Sequence, residues 1–157
     1  MARHGPDFDP QDNDFEQFAR EIVELNPNVE KVRGASNQAG DDGLYRNIQT
    51  GELITIEAKF TRQQDALPKK CVDNLNEAAA RNSESYSAPS QRWLFTTSGS
   101  TSLGAKKKLK QIERDGIPIE IFDYNRIKVI ANDRSTPVDL AIGLEACLTK
   151  KGRRTKP

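Results

Sequence analysis

The chain has 157 residues, a formal net charge of +1, and 35% hydrophobic against 30% charged residues, which suits one polar domain built around a single core. No apolar run approaches the ~18 residues a membrane helix needs, and the opening MARHGPDFDP has no apolar segment that could serve as a secretory signal; a cytoplasmic location is expected by default, with no membrane partner. Cys71 and Cys147 lie far apart without CxxC spacing and the only histidine is His4, so neither a zinc site nor a disulfide framework follows, and any metal would sit on oxygen ligands.

Residues 1–13 are Pro- and Asp-rich without periodicity, which predicts an irregular arm before a single domain over 14–149. Phe15, Phe18, Ala19, Ile22, Val23 and Leu25 recur at helical spacing. They predict an amphipathic helix over 14–25, with caps offered by Asp12–Asp14 and a stop at Asn26-Pro27. Glu16 lies near its start, where free N–H groups favour a carboxylate; that role and a catalytic one both fit. Val29–Arg33 alternates as an edge strand, and GASNQAG is a loop. A hairpin follows over 43–48 and 53–60 around Thr50-Gly51, then a polar stretch in which Gln63 and Gln64 read as solvated.

Pro68 opens a helix over 69–81, carried by Val72, Leu75, Ala78 and Ala79. NSESYSAPS reads as a loop, and RWLFTT (92–97) as a central strand with Trp93 in the core. TSGSTS is a turn before a lysine-rich helix over 103–114 that Gly116 terminates. IPIEIF (117–122) is a further strand, Ile127–Ile130 a short apolar run, and 138–148 a last helix. Residues 150–157, with three lysines and two arginines, are a basic tail or a linker into a further domain beyond residue 157. The order predicts an α/β domain with a mixed sheet, its hairpin antiparallel and its later strands joined through helical crossovers.

The chemistry concentrates in GDDGLYRNIQTGELITIEAK (40–59). Strand alternation puts Glu57 and Lys59 on one face and Ile54, Ile56 and Ala58 on the other. Pairing Ile48 with Leu53 sets Arg46 opposite Thr55, Leu44 opposite Glu57 and Asp42 opposite Lys59, so Asp42 shares their face and Asp41 does not. Two carboxylates from neighbouring strands, with the backbone carbonyl of Ala58 as a further ligand, meet what Mg2+ wants: hard oxygens, waters and phosphate oxygens. Lys59 would orient the attacking water or offset charge growing on a phosphate in the transition state. ExK occurs often by chance, and on the tripeptide alone a Glu57 and Lys59 that are merely solvated or paired is the simpler reading. Thr96, Thr97, Ser98, Ser100 and Thr101 would offer hydroxyl and N–H groups to a DNA phosphate, or simply cap the following helix. Lys106 and Lys107, with Lys108 and Lys110, make either a phosphate-contacting patch or a solvated helix face.

An acidic residue after glycine, a hairpin, and an apolar strand ending in ExK resembles the PD-(D/E)xK nuclease superfamily. The closer likeness is to the Mrr-like branch of restriction endonucleases and its relatives among Holliday-junction resolvases. DFEQFAREIVEL resembles the family's first helix and maps its helix carboxylate onto Glu16; GDDG resembles its glycine-and-aspartate turn. RWLFTTSGSTSLGAKKKL is similar to its strand ending in Thr-Thr-Ser before a helix, and IEIFDYNRI to its closing strand and turn. The resemblance implies a restriction-endonuclease-like core, a mixed sheet flanked by helices, over most of 14–130. A strict overlay places Tyr45 where Mrr-like enzymes carry an aspartate; the strand phase favours Asp42, aimed by a one-residue bulge, with Asp41 as substitute. Glu57 stands where many Mrr-like members have glutamine, and Glu is the superfamily's usual ligand.

The expected function is therefore a Mg2+-dependent endodeoxyribonuclease, Mn2+ substituting, with a place in DNA restriction. Asp42 and Glu57 would hold the ion, Lys59 would act on the water and Glu16 at the rim. Two alternatives stand beside it. One is a branched-DNA or Holliday-junction resolvase, which requires a homodimer; the other is an inactive DNA-binding module in which Tyr45 replaces the acid.

Overall fold

The structure, a computed structural model, describes residues 8–153, with side chains through residue 149. His4, most of the expected arm and the side chains of the basic tail lie outside these residues. Ten elements follow in order: α1 (Asp12–Glu24), β1 (Val29–Arg33), β2 (Gly43–Asn47), β3 (Leu53–Lys59), α2 (Lys69–Tyr86), β4 (Ser90–Thr96), α3 (Leu103–Arg114), β5 (Ile119–Phe122), α4 (Tyr124–Asn132) and α5 (Val138–Arg153). The five strands form one mixed sheet in sequential order. β1, β2 and β3 are antiparallel neighbours, and β4 and β5 join parallel to β3 through α2 and α3, as the crossover rule for parallel strands requires.

Helices cover both faces, and each face buries an apolar cluster against them. Phe15, Phe18, Ala19 and Val23 of α1 pack with Ile54, Ile56, Phe95 and Phe122 of the sheet and Leu140, Leu144 and Leu148 of α5. On the opposite face, Val72 and Leu75 of α2 and Ala105 and Ile112 of α3 meet Leu94. β3 therefore sends Ile54 and Ile56 toward α1 and Thr55 toward α2, where Asn82 bonds it. Among the described residues no helix is long and apolar enough to cross a membrane.

Four local outcomes differ from the sequence expectation. The hairpin closes between Asn47 and Glu52, because the Asn47 Oδ1 accepts from Gln49 N (2.9 Å) and Thr50 N (3.1 Å) and Gly51 takes a φ of 77° that suits glycine. Arg46 now faces Leu53 and Leu44 faces Thr55, a slip of two residues, which keeps every side chain on its face but moves Asp42 away from Lys59 toward Glu57. The bulge expected beside Asp42 lies instead in β1, between Lys31 and Arg33. α2 runs five residues beyond its expected end, to Tyr86, since Asn82 is 2% exposed and finds buried polar partners there; Ser87, with a φ of 52°, stops it. Finally, the short apolar run is part of α4, capped by Asp123, whose Oδ1 accepts from Arg126 N (3.1 Å), with the Arg126 guanidinium 3.8 Å from the Phe122 ring centre.

Gly143 of α5 packs directly against Phe18 of α1. A Cβ there would lie 2.3 Å from Cζ of buried Phe18. Gly143→Ala is expected to lower stability by about 1–3 kcal/mol through overpacking, although alanine is the better helix former by about 1 kcal/mol. Urea denaturation checks the sign.

Candidate active site

The chain arrives at β2 through Asp41 and Asp42, whose side chains part. Asp42 N donates to Ile56 O (2.9 Å), and Asp42 Oδ2 accepts from Ala58 N (2.8 Å). These two bonds reach the main chain on either side of Glu57, so they set the Asp42 carboxylate against that residue. Arg20 Nη1 donates to Asp42 O (3.0 Å), and its Nη2 holds the Gln17 amide oxygen (3.0 Å). Arg20 stands one helical turn after Glu16 on the same face of α1, which is the signal that could have disclosed it. Since α1 starts at Asp12, Glu16 lies beyond the first turn, where an N-terminal dipole explains little.

Asp41 takes no part in this edge. Its side chain is 0% exposed and forms a fork with Arg33, Nη1 to Oδ1 at 2.7 Å and Nη2 to Oδ2 at 2.8 Å. Gly43 N and Asn82 Nδ2 also donate to it, at 3.1 and 2.9 Å. Tyr45 is equally removed: it is 1% exposed in the α1-side core, and its hydroxyl donates to Glu24 Oε2 at 2.6 Å. Burial is the first cause that holds its phenol far above the ordinary value, the Glu24 carboxylate the second. The acid adjacent to Glu57 is thus Asp42, and neither Asp41 nor Tyr45 competes for that position.

The electrostatics identify Asp42, Glu57 and Glu16 as one group. Burial pushes Glu57 up to about 8; the charges of Asp42, Asp41 and Glu16 push the same way, and Lys59 opposes them. Asp42 is raised by burial against the Ala58 N–H and Arg20, while Glu16 is raised by burial and then by Asp42. Half-buried carboxylates that resist ionising together are the field a cation relieves. Among the described residues no three His, Cys, Asp or Glu side chains converge tightly enough to hold a metal unaided. The donor set of Asp42, Glu57 and the Ala58 carbonyl still fits a hard ion that keeps waters and substrate oxygens. Lys59 is exposed at the end of β3, on the face it shares with Glu57.

The expected DNA-contacting residues divide. Thr97 and Ser98 are 1% and 0% exposed. The Thr97 Oγ1 accepts from Thr61 N (2.8 Å) and donates to Thr61 O, and the Ser98 Oγ contacts the Asp65 and Ser100 carbonyls at 2.6 and 2.7 Å. These hydroxyls tie the end of β4 to the loop after β3 rather than face solvent. Ser100, Lys106 and Lys107 are exposed, and Thr101, Ser100 and Lys106 line a surface hollow of about 310 Å³ together with Asp123. A second hollow, about 520 Å³, lies over Arg33, Arg81, Asn82 and Tyr86, beyond the Asp41 network rather than at Glu57.

A sequence model of the Mrr catalytic domain, described as a restriction endonuclease, matches residues 9–130. Among solved structures, the EndoMS–dsDNA2 complex is similar, at 18% identity and a TM-score of 0.50 over 77% of this chain and 49% of that one. The MspJI restriction endonuclease in complex with a 27-mer oligonucleotide is similar at 14% identity and a TM-score of 0.52, over 92% of this chain and 30% of that one. The chain spans about half the length of the first and under a third of the second. No curated protein matches it.

Glu57 binds a proton in the folded protein between its ordinary value of 4.5 and about 8, a range in which the unfolded chain has released it. The metal-free fold should therefore lose stability as pH rises through that window. Thermal melts in chelator from pH 5 to 9 should show the decline, and Glu57→Gln should flatten it.

Proposed function

From the membership of this chain in the Mrr-type restriction endonuclease family, with its restriction-endonuclease fold, we propose that it is the catalytic domain of a divalent-metal-dependent endodeoxyribonuclease acting in DNA restriction. The observation that carries the reading is the double tether of Asp42 to the main chain flanking Glu57. Asp42, Glu57 and the Ala58 carbonyl would hold Mg2+, or Mn2+ in its place. The ion would supply Lewis acidity toward a phosphodiester and lower the pKa of a bound water.

The residues' own tasks follow from their surroundings. Asp42 enters the site with Oδ2 already bonded to Ala58 N, which leaves Oδ1 for a ligand and spares the reordering of a free side chain. Glu57, raised to about 8 by burial and its neighbours, holds its proton at neutral pH in the metal-free protein and would act as a ligand in its ionised form. Lys59, exposed beside Glu57, orients the attacking water and offsets negative charge as it grows on the phosphate. Glu16, from α1, faces the same group and acts at its rim. DNA would lie across this edge, its backbone met by Ser100, Lys106 and Lys107, with loss of affinity as salt rises.

Cleavage of linear, supercoiled, methylated and four-way-junction DNA tests the reading. Wild type with Mg2+ or Mn2+ should cut at least one of them, and Lys59→Ala and Asp42→Asn should each reduce the rate by about 100-fold or more. Preference for the junction would reassign the substrate to branched DNA. Absence of metal-dependent cutting on all four, or cutting indifferent to both substitutions, would overturn the site.

A further inference from the structure

We infer that Arg33, Asp41 and Asn82 are positioning residues that hold Asp42 in its metal-binding attitude against Glu57; the inference rests on the metal-site reading above. Three elements meet at Asp41. Arg33, delivered by the bulge in β1, forks onto both of its oxygens. Asn82, from the extended end of α2, donates to Asp41 Oδ2 (2.9 Å) and to Thr55 Oγ1 (3.0 Å), and accepts from Arg33 Nη2 (2.8 Å). Thr55 in turn meets Ser90 Oγ at 2.9 Å, which carries the linkage from β3 to β4.

The connection to Asp42 is short. Asp41 Oδ1 accepts from Gly43 N (3.1 Å), closing a turn around Asp42, and Asp41 O accepts from Ser36 N (3.0 Å), anchoring the preceding loop. These bonds fix the main chain on both sides of Asp42, in the position from which its carboxylate accepts from Ala58 N. The network also keeps the Asp41 carboxylate, next in the chain, from serving as a rival ligand.

Stability alone is a poor account of such a cluster. A buried ion pair often contributes no more than well-packed apolar side chains of the same volume, and here all four hydrogen-bonding directions of one carboxylate are spent on an arrangement beside the site. Groups that orient a ligand without touching the ion typically change metal affinity 10- to 100-fold when removed.

The test is calorimetric titration of Mn2+ into the DNA-free protein. Asn82→Ala and Arg33→Lys, which keeps the charge but loses the fork, should each weaken Mn2+ binding about 10-fold or more, and cleavage by both variants should recover at saturating Mn2+. Val23→Ala, in the opposite core, controls for destabilisation: it should lower the melting temperature and leave the affinity unchanged. Asp42→Asn should abolish binding, and if it does not, the metal-site reading fails by itself. Unaltered Mn2+ affinity in either network variant, with only a lower melting temperature, would overturn the positioning role. Arg33→Lys stands alone as the test if Asn82→Ala does not fold.

Discussion

The site depends on one constraint: the peptide and the carboxylate of a single aspartate are bonded to the backbone of the neighbouring strand two residues apart. Asp42 replaces what would be an ordinary ladder rung with a side-chain rung to Ala58 N. The strand pairing is thereby continued one step past its regular end, and the continuation carries a carboxylate. Hairpin closure at Asn47, the β1 bulge and the α1 guanidinium all converge on the position of that rung.

The cost of the arrangement is electrostatic. Glu57, Asp42 and Glu16 all sit above their ordinary values, each with burial as its first cause. Arg20 and Lys59 offset part of the repulsion, yet neither forms a fork with these acids comparable to Arg33 on Asp41. The two aspartates, adjacent in sequence, are treated in opposite ways: one is neutralised by a guanidinium and an amide, the other left under-compensated next to a second carboxylate. Carboxylates raised by burial and by one another at a half-buried edge are the pattern that clusters at functional sites.

Much of this was legible in the chain. Alternation in LITIEAK assigned Glu57 and Lys59 to one face, apolar spacing placed α1 and most of α2, and apolar runs placed the central strands. The phase of the hairpin was right in parity and wrong by two residues, because parity follows from burial of one face whereas the closing residue follows from which side chain captures the turn N–H groups, here Asn47. The Asp41 network was not legible, since its members are spread from residue 33 to residue 90 and meet only through tertiary contacts. Asn82 stood in a stretch whose polar composition argued for a loop. The buried hydroxyls of Thr97 and Ser98 were invisible for a similar reason: a Ser/Thr-rich turn reads the same whether it caps a helix, faces a ligand or stitches two loops together.

The β1 bulge has a bearing on association as well. β1 is an edge strand, and a regular edge offers a row of free N–H and C=O groups to any passing strand. The irregularity between Lys31 and Arg33 breaks that row, while the opposite edge, β5, is only four residues long and is followed directly by α4. Neither border is a good template for adding a strand, so open-ended sheet growth between copies is discouraged at both ends.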